Sequence, residues 1–98
     1  MANNEQVAAV QQYSLNLRTP EQFFIDITST SMAATWEEWI NTLEMFFIAS
    51  GINDTKRKRA LLLYLGGKEL QKIHRTLNDE TDTYEKAKEL LDLYFNKE

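Results

Sequence analysis

The sequence predicts an all-α fold, a small bundle of four main helices with an extended N-terminal segment packed on it. Three observations lead to this class. The 98 residues include one proline and three glycines, so few positions interrupt regular structure. Apolar side chains recur at helical spacing from Trp36 to Phe95. Polar capping residues or glycines separate the apolar runs.

Two parts of different composition make up the chain. Residues 1–22 are polar and rich in glutamine and asparagine, which predicts a flexible N-terminal tail, whereas residues 23–98 are the predicted helical domain. The domain opens with an apolar stretch, residues 23–27, that follows Pro20. Its aromatic and β-branched side chains favour an extended segment docked on the helices.

The first helix is predicted to begin after Thr35, because Thr35 and Glu38 have the spacing of a capping box. Gly51 is expected to end it, since glycine tolerates the positive φ of a C-terminal cap. The apolar residues between them recur at helical spacing: Trp36, Trp39, Ile40, Leu43 and Phe47.

Three further helices follow. Asn53-Asp54 is expected to cap the second, which runs to the break at Gly66-Gly67. The third is predicted over about residues 68–77. The fourth is predicted to begin after Asp82, because Asp82 and Glu85 have the spacing of a helix N-terminal cap pair. Short connections make successive helices neighbours in the bundle.

Composition excludes several classes of function. Without cysteine there is no disulfide, thiol nucleophile or thiolate metal site, and one histidine excludes a multi-histidine site. That residue, His74, has no catalytic partner in its sequence context and is interpreted as a partly exposed helix residue. No apolar run approaches the ~20 residues of a membrane helix. We therefore expect no enzyme, no cofactor, no metal and no membrane partner.

Charge is unevenly distributed. Residues 1–51 have a net charge of −5 and residues 52–98 one of +1, which suggests that copies of the chain complement each other. Residues 56–59 place four cations at the N-terminus of the second helix, which is the positive end of its dipole. Cations at this end are unfavourable for helix stability. This run is either a solvated face screened by Asp54 or an assembly interface with the acidic surface of a neighbouring copy. The interface residues would be Lys56, Arg57, Lys58 and Arg59 with Glu37, Glu38 and Glu44.

The third helix has its own basic face, because Lys68, Lys72 and Arg75 follow the spacing i, i+4 and i+7. Together with the Gly66-Gly67 turn, this pattern is compatible with a helix-turn-helix DNA reader. The acidic net charge of −4 disfavours that interpretation. We expect no direct nucleic-acid contact by this domain.

The aromatic residues exceed the need of a core this small. A groove between the first and fourth helices that receives residues 23–27 would account for the surplus. The predicted groove and segment residues are Phe23, Phe24, Ile25, Ile27, Trp36, Trp39, Phe47 and Tyr84.

Two stretches carry a family resemblance: residues 36–52, WEEWINTLEMFFIASGI, and residues 54–66, DTKRKRALLLYLG. With the later helices, they resemble the N-terminal lobe of the capsid domain in Gag proteins of gypsy-class LTR retrotransposons. The resemblance covers about residues 23–95 and is a distributed pattern. It extends to the N-terminal lobe of the Gag-derived Arc proteins, in which a related bundle binds short peptides in a groove.

The resemblance implies a homo-oligomeric structural domain that forms hexamers and pentamers in cytoplasmic virus-like particles around RNA. Two family parts have no counterpart in these residues: the second lobe, which supplies a dimer contact, and the Cys/His zinc knuckle, which binds RNA. Two functions remain open. One is self-assembly into the capsid of a retrotransposon or of a domesticated element; the other is a peptide-binding adaptor whose groove captures a linear apolar segment.

Overall fold

A computed structural model describes residues 18–25 and 31–96 of the chain. Within these ranges it contains four helices and no strand, which confirms the predicted all-α class. The helices are α1 (Met32–Ser50), α2 (Thr55–Gly66), α3 (Lys68–Thr76) and α4 (Tyr84–Asn96). Residues 18–25 have no regular secondary structure.

Helix α4 is the centre of the bundle, because it packs against each of the other three helices. Its inward stripe includes Ala87, whose small side chain is fully buried and permits close approach of the neighbouring helices. The fully buried leucines come from all four helices. They are Leu43, Leu62, Leu70 and Leu91.

Helix α1 begins four residues earlier than the sequence predicts. It starts at Met32, which packs against the core, and continues through two alanines, the strongest helix formers. Thr35 is therefore inside the helix, and its hydroxyl donates to the carbonyl oxygen of Ser31 at 3.1 Å. The predicted capping box at Thr35 and Glu38 is wrong, because Thr35 does not stand at the helix start. A threonine inside a helix can instead donate its hydroxyl hydrogen to a carbonyl oxygen of the preceding turn.

The end of α1 follows the prediction. Gly51 has a φ of +70°, and its N–H donates to Ile48 O at 3.1 Å. The N–H of Ile52 donates to Phe47 O at 2.9 Å, which completes the left-handed cap of a Schellman motif. Because Ile52 is buried against the core, the cap also directs the chain towards α2.

The predicted caps of α2 and α4 have different outcomes. Asp54 accepts a hydrogen bond from the Arg57 N–H at 2.8 Å, as predicted for the start of α2. The residue that caps α4 is Thr83, whose hydroxyl accepts from the Lys86 N–H at 3.2 Å. The predicted cap pair of Asp82 and Glu85 is wrong, since Asp82 is ion-paired with Lys56 instead.

The extended segment already contacts the bundle at Gln22, one residue ahead of Phe23 in the sequence. Gln22 lies directly against Gly67, where an added Cβ would collide with its side chain. Gly67 also has a φ of +93°, so glycine is favoured at this break for two independent reasons. The contact joins the segment to the α2–α3 corner. Most of the predicted tail, residues 1–17, lies outside the described residues.

Candidate functional site

The predicted groove residues divide into two aromatic clusters. In the first, which we call the Phe23 cluster, Phe23 lies between α1 and α4 and is only 3% exposed. Its ring centroid is 5.3 Å from that of Trp36, 5.6 Å from Trp39 and 5.4 Å from Phe95. Trp36 also stacks on Phe95 at 4.8 Å. An aromatic side chain of the extended segment is thus inserted between the two helices, and Phe95 is a member that the predicted set omitted.

Both indole N–H groups of the Phe23 cluster have partners. Trp36 Nε1 donates to Asp92 Oδ1 at 2.7 Å, which joins α1 to α4. Trp39 Nε1 donates to Glu21 O at 2.6 Å, which joins α1 to the extended segment. A buried indole needs such a partner to offset the loss of water. The cluster is therefore fixed by directional bonds as well as by ring contacts.

The other residues of the extended segment are placed differently. Phe24 is 72% exposed, and Ile25 is partly buried against the core. Ile27 lies outside the described residues. Successive side chains of an extended segment point to opposite sides, so Phe23 and Phe24 cannot both enter the groove. The prediction that Phe24 occupies the groove is wrong.

The second cluster contains Phe47 and Tyr84, which meet edge to face at 5.4 Å. The Tyr84 hydroxyl donates to Glu44 Oε2 at 2.7 Å, and Lys88 Nζ lies 2.9 Å from the same oxygen. Burial raises the pKa of Glu44, but the hydrogen bonds from Lys88 and Tyr84 outweigh it and leave that pKa lowered. Burial and the neighbouring Glu44 raise the pKa of Tyr84. The charge of Glu44, a predicted interface residue, is thus balanced by Lys88 within the chain.

An open groove of about 700 Å³ lies over this second cluster, between the C-terminal half of α1 and α4. Two large apolar side chains at this groove face solvent, since Ile48 is 81% exposed and Leu93 62%. Charged residues also line it. They are Glu44, Lys58, Glu85, Lys88, Glu89 and Asp92.

The predicted basic surface of residues 56–59 is divided by the fold. Lys58 lies over the rings of Phe47 and Tyr84, with its ammonium 5.7 and 5.9 Å from the two centroids. The Arg59 side chain is only 25% exposed, and its Nε lies 3.9 Å from a carboxylate oxygen of Asp79. A four-residue cationic surface is therefore contradicted, because a helix turns successive side chains to different sides. Lys56 and Arg57 remain exposed.

The two remaining acidic residues of the predicted interface, Glu37 and Glu38, are exposed near the start of α1. Lys56 and Arg57 follow the far end of the same helix. At 1.5 Å of rise per residue, the stretch of α1 between Glu38 and Gly51 is about 20 Å long. The fold therefore separates the exposed acidic pair from the exposed basic pair.

His74 is buried, which contradicts the predicted exposed position. It is 7% exposed, and its Nε2 lies 2.9 Å from Asp79 Oδ2. Because a carboxylate only accepts, Nε2 carries the hydrogen of this bond. Asp79 has a fully buried side chain and also faces Arg59. The three residues form a polar network at the end of α3.

The Asp79 carboxylate is also held by its own loop. The Thr81 backbone N–H and hydroxyl donate to Asp79 Oδ1 at 2.9 and 2.8 Å. Burial raises the pKa of Asp79, but the bonds from His74 and Thr81 outweigh it and lower the pKa to about 2. The sequence signal for this turn is Asp-x-Thr just after the end of a helix.

Two further classes of site find no support among residues 18–25 and 31–96. In these ranges no group of three or more histidine, cysteine, aspartate or glutamate residues is arranged to hold a metal ion. No helix there has both the length and the apolar composition required to span a membrane.

Comparisons with known proteins give no relative for this chain. No family model matches it, and the searches of curated proteins and of solved structures found no match.

Proposed function

We propose that this chain is a structural self-assembly domain, the N-terminal lobe of a Gag-type capsid, in which unlike ends of neighbouring copies meet. The observation that carries the proposal is the separation of the exposed acidic pair Glu37 and Glu38 from the exposed cations Lys56 and Arg57. Opposite charges at distant places on one chain favour contact between unlike surfaces, which closes into rings or continues into arrays. Rings of this kind would be the hexamers and pentamers of a cytoplasmic virus-like particle.

The proposed contact is weak in an isolated lobe. Exposed ion pairs contribute roughly 0–1 kcal/mol each, so the chain is expected to be mostly monomeric at micromolar concentration. Repetition around a ring strengthens such a contact, because later contacts form within one assembly. Assembly should therefore increase with protein concentration and decrease with added salt.

Light scattering against protein and salt concentration tests the proposal. Reversal of the basic pair, Lys56→Glu with Arg57→Glu, is expected to abolish concentration-dependent scattering, and so is Glu37→Lys with Glu38→Lys. A control with the same change in net charge as the Glu37 and Glu38 variant reverses two exposed acids elsewhere, Glu69→Lys with Glu80→Lys, and should scatter like the unmodified chain. Helical circular dichroism should be unchanged in all three. Equal scattering by the control and the two interface variants would contradict the proposal.

The Phe23 cluster favours a second candidate, a peptide-binding adaptor. Phe23 enters the cleft between α1 and α4 from a segment without regular structure, and Trp39 binds the backbone of that segment at Glu21. An apolar partner peptide with an aromatic residue would use the same contacts in trans.

Complementation tests this second candidate. The probe is a synthetic peptide of residues 20–27, and the receptor is the variant Phe23→Ala. Binding should change the tryptophan fluorescence and restore part of the thermal stability that the variant loses. A peptide with alanine in place of Phe23 is the control. No binding of either peptide would exclude exchange in trans.

A further inference from the structure

Helices α3 and α4 each present a row of like charges with identical spacing. Lys68, Lys72 and Arg75 form what we call the basic stripe of α3. Glu85, Glu89 and Asp92 form the acidic stripe of α4. Both follow the spacing i, i+4 and i+7, which is about 10 Å along one face of a helix. The two stripes therefore match in length and in charge spacing.

The stripes do not neutralise each other within the chain. No ion pair between residues 31 and 96 joins a member of one stripe to a member of the other. In the basic stripe, Lys72 pairs with Glu69 of its own helix at 3.5 Å, while Lys68 and Arg75 are exposed.

The members of the acidic stripe have local partners. Glu89 pairs with Lys86 of its own helix at 3.5 Å. Glu85 accepts the Thr55 hydroxyl at 2.6 Å, a bond that lowers the pKa of Glu85. Asp92 accepts the Trp36 indole. These bonds hold the three carboxylates in place along the groove.

Each stripe is accompanied by an exposed apolar side chain. All three acids line the groove over Phe47 and Tyr84, together with Ile48 and Leu93. On the basic side, Tyr64 is 76% exposed and shares a surface depression with Lys68. One surface thus combines the three acids with aliphatic side chains, and the other combines cations with an aromatic ring. The two cations of the groove already have contacts within the chain, since Lys88 pairs with Glu44 and Lys58 lies over the rings of Phe47 and Tyr84.

We propose that the occupant of the α1–α4 groove is a second copy of this chain, whose α3 basic stripe lies along the α4 acidic stripe and whose Tyr64 packs against Ile48 and Leu93. Charge complementarity at equal spacing, together with exposed apolar surface on both sides, favours this occupant. A nucleic acid would contact the basic stripe but would leave the acidic groove and Leu93 uncovered. The inference shares one element with the proposed function, which is that the partner is a second copy. The contact residues are different, because Glu37, Glu38, Lys56 and Arg57 take no part in the stripe contact.

Two variants test whether unlike surfaces meet. The basic-face variant combines Tyr64→Glu with Lys68→Glu, and the acidic-face variant combines Glu89→Lys with Leu93→Lys. Asp92 is left unchanged because it bonds Trp36. In sedimentation equilibrium up to millimolar concentration, each variant alone should associate at least tenfold more weakly than the unmodified chain. Their equimolar mixture keeps one intact surface of each kind and should associate more strongly than either variant alone.

The control is Met45→Lys with Glu80→Lys, because Met45 is as exposed as Leu93 but lies away from the groove. It should associate like the unmodified chain. The inference is overturned if the mixture stays monomeric, if the two variants associate normally, or if the unmodified chain binds duplex DNA through the basic stripe without self-association.

Cysteine cross-linking gives a second readout, since the chain has no cysteine of its own. Under mild oxidation, Tyr64→Cys mixed with Leu93→Cys should yield the mixed disulfide in excess over either homodimer. Met45→Cys in place of Leu93→Cys should yield only a statistical distribution. A statistical distribution for the first mixture as well would overturn the inference.

These outcomes are separable from a failure of the proposed function. If reversal at Lys56 and Arg57 abolishes assembly while the stripe variants assemble normally, the proposed function stands and the stripe contact is wrong. If only the stripe variants lose self-association, the chain assembles through α3 and α4, and the predicted contact of the charged ends is wrong.

Discussion

The Phe23 cluster and the His74–Asp79–Arg59 network are two ways of joining elements that are distant in sequence. The first joins the extended segment, α1 and α4 through rings between 4.8 and 5.9 Å apart. The second joins α2, α3 and the following loop through one buried carboxylate. The ring contacts of the first region are non-directional and only its two indole bonds are directional, whereas the buried carboxylate of the second depends on each of its polar partners.

The difference also concerns pH. Stability from the aromatic contacts does not depend on protonation, whereas the network depends on an ionised Asp79. The two regions should therefore respond differently to truncation, to acid and to removal of a charge.

Trp36→Ala is expected to have the largest effect, a loss of about 3–5 kcal/mol in the free energy of unfolding. Trp36 is 1% exposed and contacts Phe23, Trp39 and Phe95, so its removal opens a cavity that several elements share. Urea denaturation measures the loss. Trp36→Phe, which keeps a ring but removes the bond to Asp92, should lose less than half as much. Equal losses would mean that the hydrogen bond, not the packing, holds this region.

Phe23→Ala is expected to cost about 2–3 kcal/mol, less than a core phenylalanine usually does, because the short segment can detach locally. The neighbouring residue gives a matched control. Phe24 is 72% exposed, so Phe24→Ala should change stability by less than about 0.5 kcal/mol. Thermal denaturation compares the two variants, and a similar shift in both would show that Phe23 is not the anchor of the segment.

Helical periodicity predicted most of the Phe23 cluster but not the His74–Asp79–Arg59 network. Spacing alone places Trp36 and Trp39 on the inward side of α1, and it identifies Phe23 as part of an apolar segment in need of a partner. It could not show which of Phe23 and Phe24 turns inward, because that depends on the register of the segment. The network joins residues of two helices and a loop, and no local pattern indicates that Arg59 and His74 face the same carboxylate.

Asp79 should make stability fall at acid pH. Its pKa is lowered from 3.8 to about 2 in the folded chain, so the folded state favours the ionised form. The stabilisation is fully present above pH 3.8 and is lost as the pH falls through about 2. Its size is on the order of 2 kcal/mol. Asp79→Asn should flatten this part of a stability–pH curve measured by urea denaturation.

The exposed Asp82 of the same loop provides the control for Asp79. Asp82→Asn should leave the curve unchanged, because its partner Lys56 is also exposed. A curve equally steep for the unmodified chain and for Asp79→Asn would indicate that other carboxylates cause the acid sensitivity.

Within residues 56–59, removal of the Arg59 side chain should cost more stability than removal of the Lys56 side chain. This difference is the smallest effect that we expect. The Arg59 side chain is 25% exposed and faces the buried Asp79, so Arg59→Ala should cost about 1 kcal/mol. Lys56 and its partner Asp82 are 72% and 62% exposed at 3.4 Å, and Lys56→Ala should cost less than about 0.5 kcal/mol. Urea denaturation at low and high salt separates them, because salt screens the exposed pair more strongly than the buried one. Equal costs with equal salt dependence would mean that residues 56–59 form one solvated surface, and that Arg59 does not belong to the network around Asp79.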